Sequence, residues 1–220
     1  MERHIDLELN ALKQALIEMA GLAEQAIGWA VKALVIRDAE LARGVIISDH
    51  AINTLEIQID DRCLSIMARY QPEATDLRFL AMALKINNDL ERMGDQAVNI
   101  AERTLALLEE PQLKPLIDLP RMAEIAQSMV KESLDAFVLR DVERARQVCR
   151  RDDQVDRLDD QLFRELLTYM LEDPKAITRS VHLILVSRHL ERIADHATNI
   201  AEDVVYLIEG QTIKHHAADH

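Results

Sequence analysis

A fourteen-residue motif occurs twice in this chain, and its repetition constrains the fold more than any other feature. Residues 89–102 read DLERMGDQAVNIAE and residues 189–202 read HLERIADHATNIAE, with nine of fourteen positions identical at an offset of 100 residues. A second pair, residues 33–45 and 136–148, matches at eight of thirteen positions at an offset of 103. Since similarity at a fixed period is the mark of a repeated structural unit, we expect two related halves.

Each half carries the pattern of three amphipathic helices. Apolar residues recur at helical spacing, Asp38 is suited to cap a helix start, and Pro72 breaks the pattern before a third segment. The predicted helices run from Ile5 to about Arg37, to about Tyr70 and to about Glu109, and then from about Met122 to Arg140, from about Val142 to Leu171 and after Pro174 to Ile208. The sequence therefore predicts an all-α fold of two tandem three-helix bundles related by pseudo-twofold symmetry, with one continuous six-helix bundle as the alternative.

Three closely spaced prolines, Pro111, Pro115 and Pro120, separate the two halves. Proline lacks the backbone donor that a helix interior needs, so this stretch is predicted to be a linker. The predicted organisation is a first repeat at 1–110, a linker at 111–120, a second repeat at 121–210 and a polar tail at 211–220.

Composition excludes some classes of function. The net charge of -13 argues against a nucleic-acid partner, because Lys and Arg supply most of the affinity for phosphates. The distant cysteines Cys63 and Cys149 form no CxxC pair and predict reduced, buried thiols of a cytosolic protein. A charged N-terminus and short apolar runs such as residues 181–186 predict neither export nor membrane insertion, and hence a cytoplasmic location.

Acidic residues recur at the same helical phase in both copies of the motif. Glu91 and Asp95 are four residues apart on one face, as are Glu191 and Asp195. Ionised carboxylates at this spacing repel each other, whereas a bound cation would turn that repulsion into attraction. The alternative is an acidic face that is only solvated, and recurrence in both halves favours the metal.

The preceding helix of each half carries a second acidic stripe, which includes Asp49 in the first half and Asp152 and Asp156 in the second. Ligands from two helices would all be oxygens, which suit Mg²⁺, Mn²⁺, Ca²⁺ or oxidised iron, and several carboxylates would bridge more than one ion. Asn53 stands where the second half has Asp156, so the second site is predicted to be the better one. The candidate metal ligands are Asp49, Glu91, Asp95, Asp152, Asp156, Glu191 and Asp195.

Other positions of the motif suggest packing rather than chemistry. Leu90, Met93, Ala97 and Ile100, with their second-half counterparts, are predicted to face the core, and the small Gly94 and Ala194 predict a close helix contact. A ferritin-like di-iron centre would need Glu-x-x-His, which neither copy has. We expect the heptad row His182, His189 and His196 to lie at the core edge or in solvent. Arg92 and Arg192 are expected to pair with neighbouring carboxylates, with anion binding or docking as the alternative.

With its two LER-x-x-D-x-A-x-N-I-A-E motifs, the chain resembles the PhoU family of phosphate-transport regulatory proteins over nearly its whole length. The resemblance implies two three-helix repeats and multinuclear metal clusters on paired E(D)xxxD motifs. Iron is the metal it favours, with manganese, magnesium or zinc as alternatives. The partner motifs are Asp152 to Asp156 and Asp49 to Asn53, the latter departing from the pattern by its asparagine.

The resemblance also implies the function. It implies a non-enzymatic cytoplasmic adaptor, a homodimer, between the ATPase subunit of the phosphate ABC transporter and a sensor histidine kinase, which turns uptake and signalling down when phosphate is sufficient. Two alternatives stay open from the residues: a metal-storage protein or carboxylate-cluster metalloenzyme, and a helical bundle whose acidic faces bind nothing.

Overall fold

The structure is a computed structural model that describes residues 4–210. Six α-helices follow one another, and the described residues contain no strand. A short 3-10 helix, Pro174–Ala176, precedes the last of them. The helices are α1 His4–Ile36, α2 Ala39–Tyr70, α3 Ala74–Leu108, α4 Asp118–Leu139, α5 Val142–Glu172 and α6 Ile177–Glu209. The all-α prediction is confirmed. The histidines of the predicted polar tail, His215, His216 and His220, lie outside the described residues.

The start of α4 is the one helix boundary that the sequence pattern misplaces. The pattern predicts a start at about Met122, but the helix begins at Asp118, so Pro120 lies in its first turn. The first turn of a helix needs no backbone donor, so a proline there is tolerated. Pro111 and Pro115 do lie in the loop between the halves, and the linker is therefore shorter at its carboxyl end than the predicted 111–120.

Each half forms its own three-helix bundle, and the two bundles share one core. Helices α1, α2 and α3 pack on one another, as α4, α5 and α6 do, while α3 packs on α6 and α1 packs on α4 across the halves. The predicted core face of the repeated motif is completely buried in both copies. Its residues are Leu90, Met93, Ala97 and Ile100 in the first copy and Leu190, Ile193, Ala197 and Ile200 in the second. This confirms the two tandem bundles and shows that their apolar interiors are continuous.

The pseudo-twofold relation extends to the chain turns. Asp38 and Asp141, which are equivalent at the 103-residue offset, both cap the next helix: Asp38 Oδ1 accepts from Leu41 N at 3.0 Å, and Asp141 Oδ1 accepts from Arg144 N at 3.0 Å. The residue before each cap, Arg37 or Arg140, has a left-handed backbone with φ of 57° or 55°. Such a conformation is unfavourable for a non-glycine residue, so its occurrence at equivalent positions marks a shared feature of the repeat geometry.

Helix α1 is long and apolar enough to cross a membrane by length and composition, with a mean hydropathy of 1.3 over its most apolar window. The length of uninterrupted apolar runs does not reveal this property of α1, because polar residues are interspersed among the apolar residues of the helix. Half of that window is buried inside the protein, including Leu12, Leu16 and Met19. This burial is what a core helix of a helical bundle shows.

Both cysteines are free thiols, as predicted. Cys63 is buried and Cys149 is half-buried. Burial raises the pKa of each thiol to about 12, with Asp60 adding to the shift at Cys63 and Glu202 at Cys149. Because the thiolate is the reactive form, both cysteines are suited to packing rather than to nucleophilic chemistry.

Candidate metal centres

The first-half candidate cluster lies where α2 crosses α3. Asp49 and Asn53 come from α2, and Glu91 and Asp95 from α3. The Asn53 amide donates to Asp49 Oδ2 at 2.7 Å, while Asp49 Oδ1 is buried and has no hydrogen-bond partner. A buried carboxylate oxygen without a partner is costly, so a cation at this point would supply what the protein does not.

Gly94 allows the two helices to approach at this cluster. A methyl group on Gly94 would lie 2.9 Å from Ile52 Cδ1 and 3.1 Å from Asp49 Oδ1, closer than normal packing allows. The predicted close helix contact is therefore confirmed. Because Gly94 has no side chain, the Asp49 carboxylate can lie directly against the helix that carries Glu91 and Asp95.

The carboxylates of the first cluster act on one another across the helices. Burial raises the pKa of Asp49, and the nearby Asp95 raises it further against the opposing hydrogen bond from Asn53. Burial is likewise the largest cause of the raised pKa of Glu91, and repulsion from Asp95, Glu56 and Asp49 raises it further. The two acidic stripes predicted on separate helices thus form one electrostatic unit.

The second-half cluster is more strongly perturbed. Burial, followed by repulsion from Asp195 and Asp156, raises the pKa of Asp152 to about 7. Burial is also the largest cause of the raised pKa of Glu191, Asp195 and Asp156. These are the four predicted ligands of this half, and the structure brings them together where α5 packs on α6.

A guanidinium group, that of Arg188, distinguishes the second cluster from the first. The repeated motif does not include this residue. Arg188 donates to Asp159 at 2.8 Å, and Asp159 is 2% exposed and also accepts from Ser187 Oγ at 2.7 Å. Arg188 lowers the pKa of both Glu191 and Asp156. The first half has Asn88 at the equivalent position, so the second cluster has one more acid, Asp156 in place of Asn53, and one more base, Arg188. The signal was visible in the sequence as the residue immediately before the repeated motif.

The histidine row takes part in contacts between the halves. His196 Nδ1 lies 2.9 Å from Asp89 Oδ1, and His189 Nδ1 lies 2.8 Å from Gln96 Oε1. Asp89 is equivalent to His189, and Gln96 is equivalent to His196, at the 100-residue offset. The pseudo-twofold axis therefore relates the two contacts to each other across the α3–α6 crossing. Burial, followed by Arg192 and Arg103, lowers the pKa of His189 to about 4.

All three histidines are half-buried, which agrees with the core-edge expectation, and His182 also has a lowered pKa, chiefly through burial. The sequence did not predict their cross-half partners. The two arginines of the motif are exposed, and they lower the pKa of nearby carboxyls, Arg92 at Glu91 and Arg192 at Asp195.

The donor set of both clusters consists of carboxylate oxygens. Every candidate ligand contributes carboxylate oxygen, the donor that hard cations prefer, and Asp49 offers an unpartnered buried oxygen. Within residues 4–210, however, no three His, Cys, Asp or Glu side chains already stand as ligands around a single point. The residues fit a hard cation in donor chemistry, and a site would require rotation of exposed side chains such as Asp95 and Asp195.

The sequence and fold match one known family in both halves. A family model of the PhoU domain matches residues 16–104 and again residues 119–204. The chain is 50% identical over 208 residues to the phosphate-specific transport system accessory protein PhoU homolog of Aquifex aeolicus, covering 94% of each chain. It is 41% identical over 216 residues to the homolog of the same name from Pseudomonas aeruginosa, covering 98% of this chain and 89% of that one.

Solved structures of similar proteins have the same fold. The crystal structure of PhoU from Pseudomonas aeruginosa superposes with a TM-score of 0.91 at 42% identity, covering 94% of this chain and 100% of that one. The phosphate transport system regulatory protein PhoU from Streptococcus pneumoniae superposes with a TM-score of 0.89 at 33% identity, covering 96% of this chain and 100% of that one. With both repeats matched and nearly the full length aligned in sequence and in space, the chain belongs to the PhoU family.

Proposed function

We propose that the protein is a cytoplasmic regulator of phosphate uptake and of phosphate-starvation signalling. In this proposal it is an adaptor without catalytic activity, which contacts the ATPase subunit of the phosphate ABC transporter and a sensor histidine kinase and lowers the activity of both under phosphate sufficiency. The observation that carries it is the alignment of both repeats with relatives named as accessory proteins of a phosphate-specific transport system.

The acidic clusters are proposed to bind metal. Asp49, Glu91 and Asp95 would hold it in the first half, and Asp152, Asp156, Glu191 and Asp195 in the second. A bound cation would neutralise carboxylates that otherwise repel one another, and would thereby fix the packing of α2 on α3 and of α5 on α6. Iron is the first candidate, and manganese, magnesium and zinc are the others.

The raised pKa values support a specific form of metal binding. Burial raises the pKa of Asp152 to about 7, so this carboxyl retains a proton near neutral pH more readily than an ordinary aspartate. A cation can bind there only by displacing that proton, so affinity should increase with pH and binding should release a proton. Elemental analysis of protein purified without chelator, followed by Mn²⁺ or Fe³⁺ titration at pH 6 and pH 8, measures both effects. A metal-free protein whose thermal stability no cation changes would leave a solvated acidic face as the explanation.

The regulatory proposal has its own test, which does not depend on metal. A strain lacking the gene should express phosphate-starvation genes in high phosphate, and the intact gene should restore repression. Normal repression in the deletion strain would refute the regulatory role. Turnover of a phosphate ester or of oxygen by the purified protein, lost in a variant with Glu191→Gln and Asp195→Asn, would instead favour a metalloenzyme.

The adaptor contacts can be tested together with the clusters. Pull-down of the transporter ATPase subunit and of the kinase, from cells grown in high and low phosphate, should succeed with the wild-type chain. Variants that replace Glu91, Asp95, Glu191 and Asp195 by their amides ask whether the clusters mediate these contacts. Loss of binding only in these variants would tie the acidic clusters to partner recognition. The matched control replaces exposed acids away from the clusters, such as Glu40 and Glu143.

A further inference from the structure

The acidic residues of the second cluster lie in facing pairs along α5 and α6. Asp159 of α5 accepts from Ser187 Oγ at 2.7 Å and from the Arg188 guanidinium at 2.8 Å, which fixes the register of the two helices. Because α5 and α6 form an antiparallel hairpin around the 3-10 helix Pro174–Ala176, each step towards the start of α5 is matched by a step along α6. The three facing pairs are Asp159 with Arg188, Asp156 with Glu191, and Asp152 with Asp195.

The first cluster has the same three pairs with different side chains. The repeat offsets, 103 residues on α2 and 100 residues on α3, give Glu56 with Asn88, Asn53 with Glu91, and Asp49 with Asp95. Burial, Asp95 and Glu56 all raise the pKa of Glu91, so Glu56 belongs to this cluster. In the described range 4–210 the Glu56 carboxylate forms no ion pair, and the exposed Asn88 opposite it is neutral.

The two sets of facing pairs carry the same net charge. The first set has four carboxylates and no base, which gives -4. The second set has five carboxylates, because Asp156 replaces Asn53, and it also has the guanidinium of Arg188, which again gives -4. Arg92 and Arg192 are common to both halves and leave this comparison unchanged. The number of acids alone therefore overstates how many cations the second cluster can take.

The Arg188–Asp159 pair satisfies a carboxylate that has almost no access to water. The side chain of Asp159 is 3% exposed, and each of its oxygens has a donor, Ser187 Oγ for Oδ1 and Arg188 for Oδ2. A buried carboxylate needs such partners, and hydrogen bonds to a charged donor are the strong ones. While Arg188 holds Asp159, this carboxylate is already neutralised and is not free to coordinate a metal ion.

No side chain fills this role in the first cluster. The buried Oδ1 of Asp49 has no hydrogen-bond partner, and the Asn53 amide donates to the other oxygen, Oδ2. An amide at Asn88 cannot neutralise Glu56 as a guanidinium does. The positive charge that the second cluster receives from its own chain would have to come from a bound cation in the first.

We propose that Arg188 takes the place of one metal ion in the second cluster, so that this cluster binds no more ions than the first in spite of its additional aspartate. Arg188 is not a ligand in this proposal. It determines how many ions the cluster holds by keeping Asp159 from the metal. The proposal rests on the metal binding proposed above and adds to it the residue that sets the stoichiometry.

The test counts Mn²⁺ ions bound to the full chain by equilibrium dialysis at pH 8, after chelator has been removed. Arg188→Asn frees the Asp159 carboxylate and should bind about one more Mn²⁺ per chain than the wild type. Asn88→Arg places a guanidinium opposite Glu56 and should bind about one fewer. Two controls separate charge from coordination: Arg188→Lys should bind as the wild type does, and Arg188→Asn combined with Asp159→Asn should lose the additional ion.

Thermal melting gives a second readout. With chelator present, Arg188→Asn should melt below the wild type, because a buried carboxylate has lost its ion pair. Mn²⁺ should then raise the melting temperature of this variant more than that of the wild type, since an additional ion binds only its folded state. If Arg188→Asn does not fold, Asn88→Arg still decides, because it changes an exposed side chain. It should melt above the wild type in chelator and gain less from Mn²⁺.

The outcomes separate this inference from the metal binding on which it rests. A wild type and variants that all bind no Mn²⁺ would refute metal binding, and the role of Arg188 with it. A wild type that binds Mn²⁺, with Arg188→Asn and Asn88→Arg binding the same number of ions, would overturn the role of Arg188 alone. So would an additional ion that persists when Asp159 is also replaced.

Discussion

Replacing Asp152 by asparagine should stabilise the metal-free protein at alkaline pH and leave it unchanged in acid. The pKa of Asp152 is raised from 3.8 to about 7 in the folded protein, chiefly by burial. The folded state therefore keeps this proton when the unfolded chain has already released its own. Stability falls as pH rises between these two values, and the full loss is present above the folded-state pKa. An asparagine at this position has no proton to lose, so the variant escapes this loss.

The magnitude follows from the same shift. Moving the pKa from 3.8 to about 7 would correspond to about 4 kcal/mol if the interaction were fully realised. Asp152 is only half-buried, and solvent screens its repulsion by Asp195 and Asp156, so the expected gain is about 1–2 kcal/mol. For a chain of this length that gain corresponds to a melting temperature higher by about 2–8 °C.

Urea unfolding with chelator present, at pH 4.5 and pH 8, measures the difference directly. The variant Asp152→Asn should exceed the wild type at pH 8 and come close to it at pH 4.5, where only a small part of the loss is present. The control Asp61→Asn, at an exposed acid of the first half, should change little at either pH. In samples without chelator, added Mn²⁺ should stabilise the wild type more than the variant by mass action. A difference of equal size at both pH values, or a variant less stable at pH 8, would refute the electrostatic reasoning.

Three further outcomes are expected. Gly94→Ala should lose about 1–2 kcal/mol of unfolding free energy through overpacking, while Gly44→Ala, with open space around it, should gain about 0.5–1 kcal/mol; equal effects in urea unfolding would contradict the close contact. His189→Gln should flatten the stability loss on acidification from pH 6.5 towards 4, since the folded state resists protonation of this imidazole; a parallel pH profile in thermal melts would contradict this. Cys63 and Cys149 should resist iodoacetamide at pH 8 until urea unfolds the chain, and rapid labelling followed by mass spectrometry would contradict their shielding.

The sequence predicted what depends on local periodicity. Helical spacing, the Asp38 cap and the Pro72 break are signals within a few residues of one another, and the observed helix ends follow them closely. Repetition of the motif identified the buried face from Leu90 to Ile100 and the acidic positions beside it. Pro120 misled the prediction because proline both breaks helices and starts them, and the sequence around it does not decide between the two.

Contacts between distant segments were not predictable in the same way. The packing of α3 on α6 brings Asp89 to His196, residues 107 apart, and no local pattern specifies that register. Arg188 lies just outside the repeated motif, and only the fold brings its guanidinium to Asp159 in the second cluster. Asn53 by itself favours the second site over the first, whereas Arg188 adds a positive charge to the second site that would oppose a cation.

The contacts of His196 with Asp89 and of His189 with Gln96 favour the pairing of a first half with a second half over the pairing of two like halves. Two first halves brought together in the same way would set Asp89 against Gln96, and two second halves would set His189 against His196. Only unlike halves place a carboxylate beside an imidazole. Side chains of α3 and α6, rather than the loop that joins the halves, therefore determine how the two repeats pair. A chain cut within that loop should reassemble as one first half with one second half, and exchange of halves between molecules should rebuild the same contacts without creating new ones.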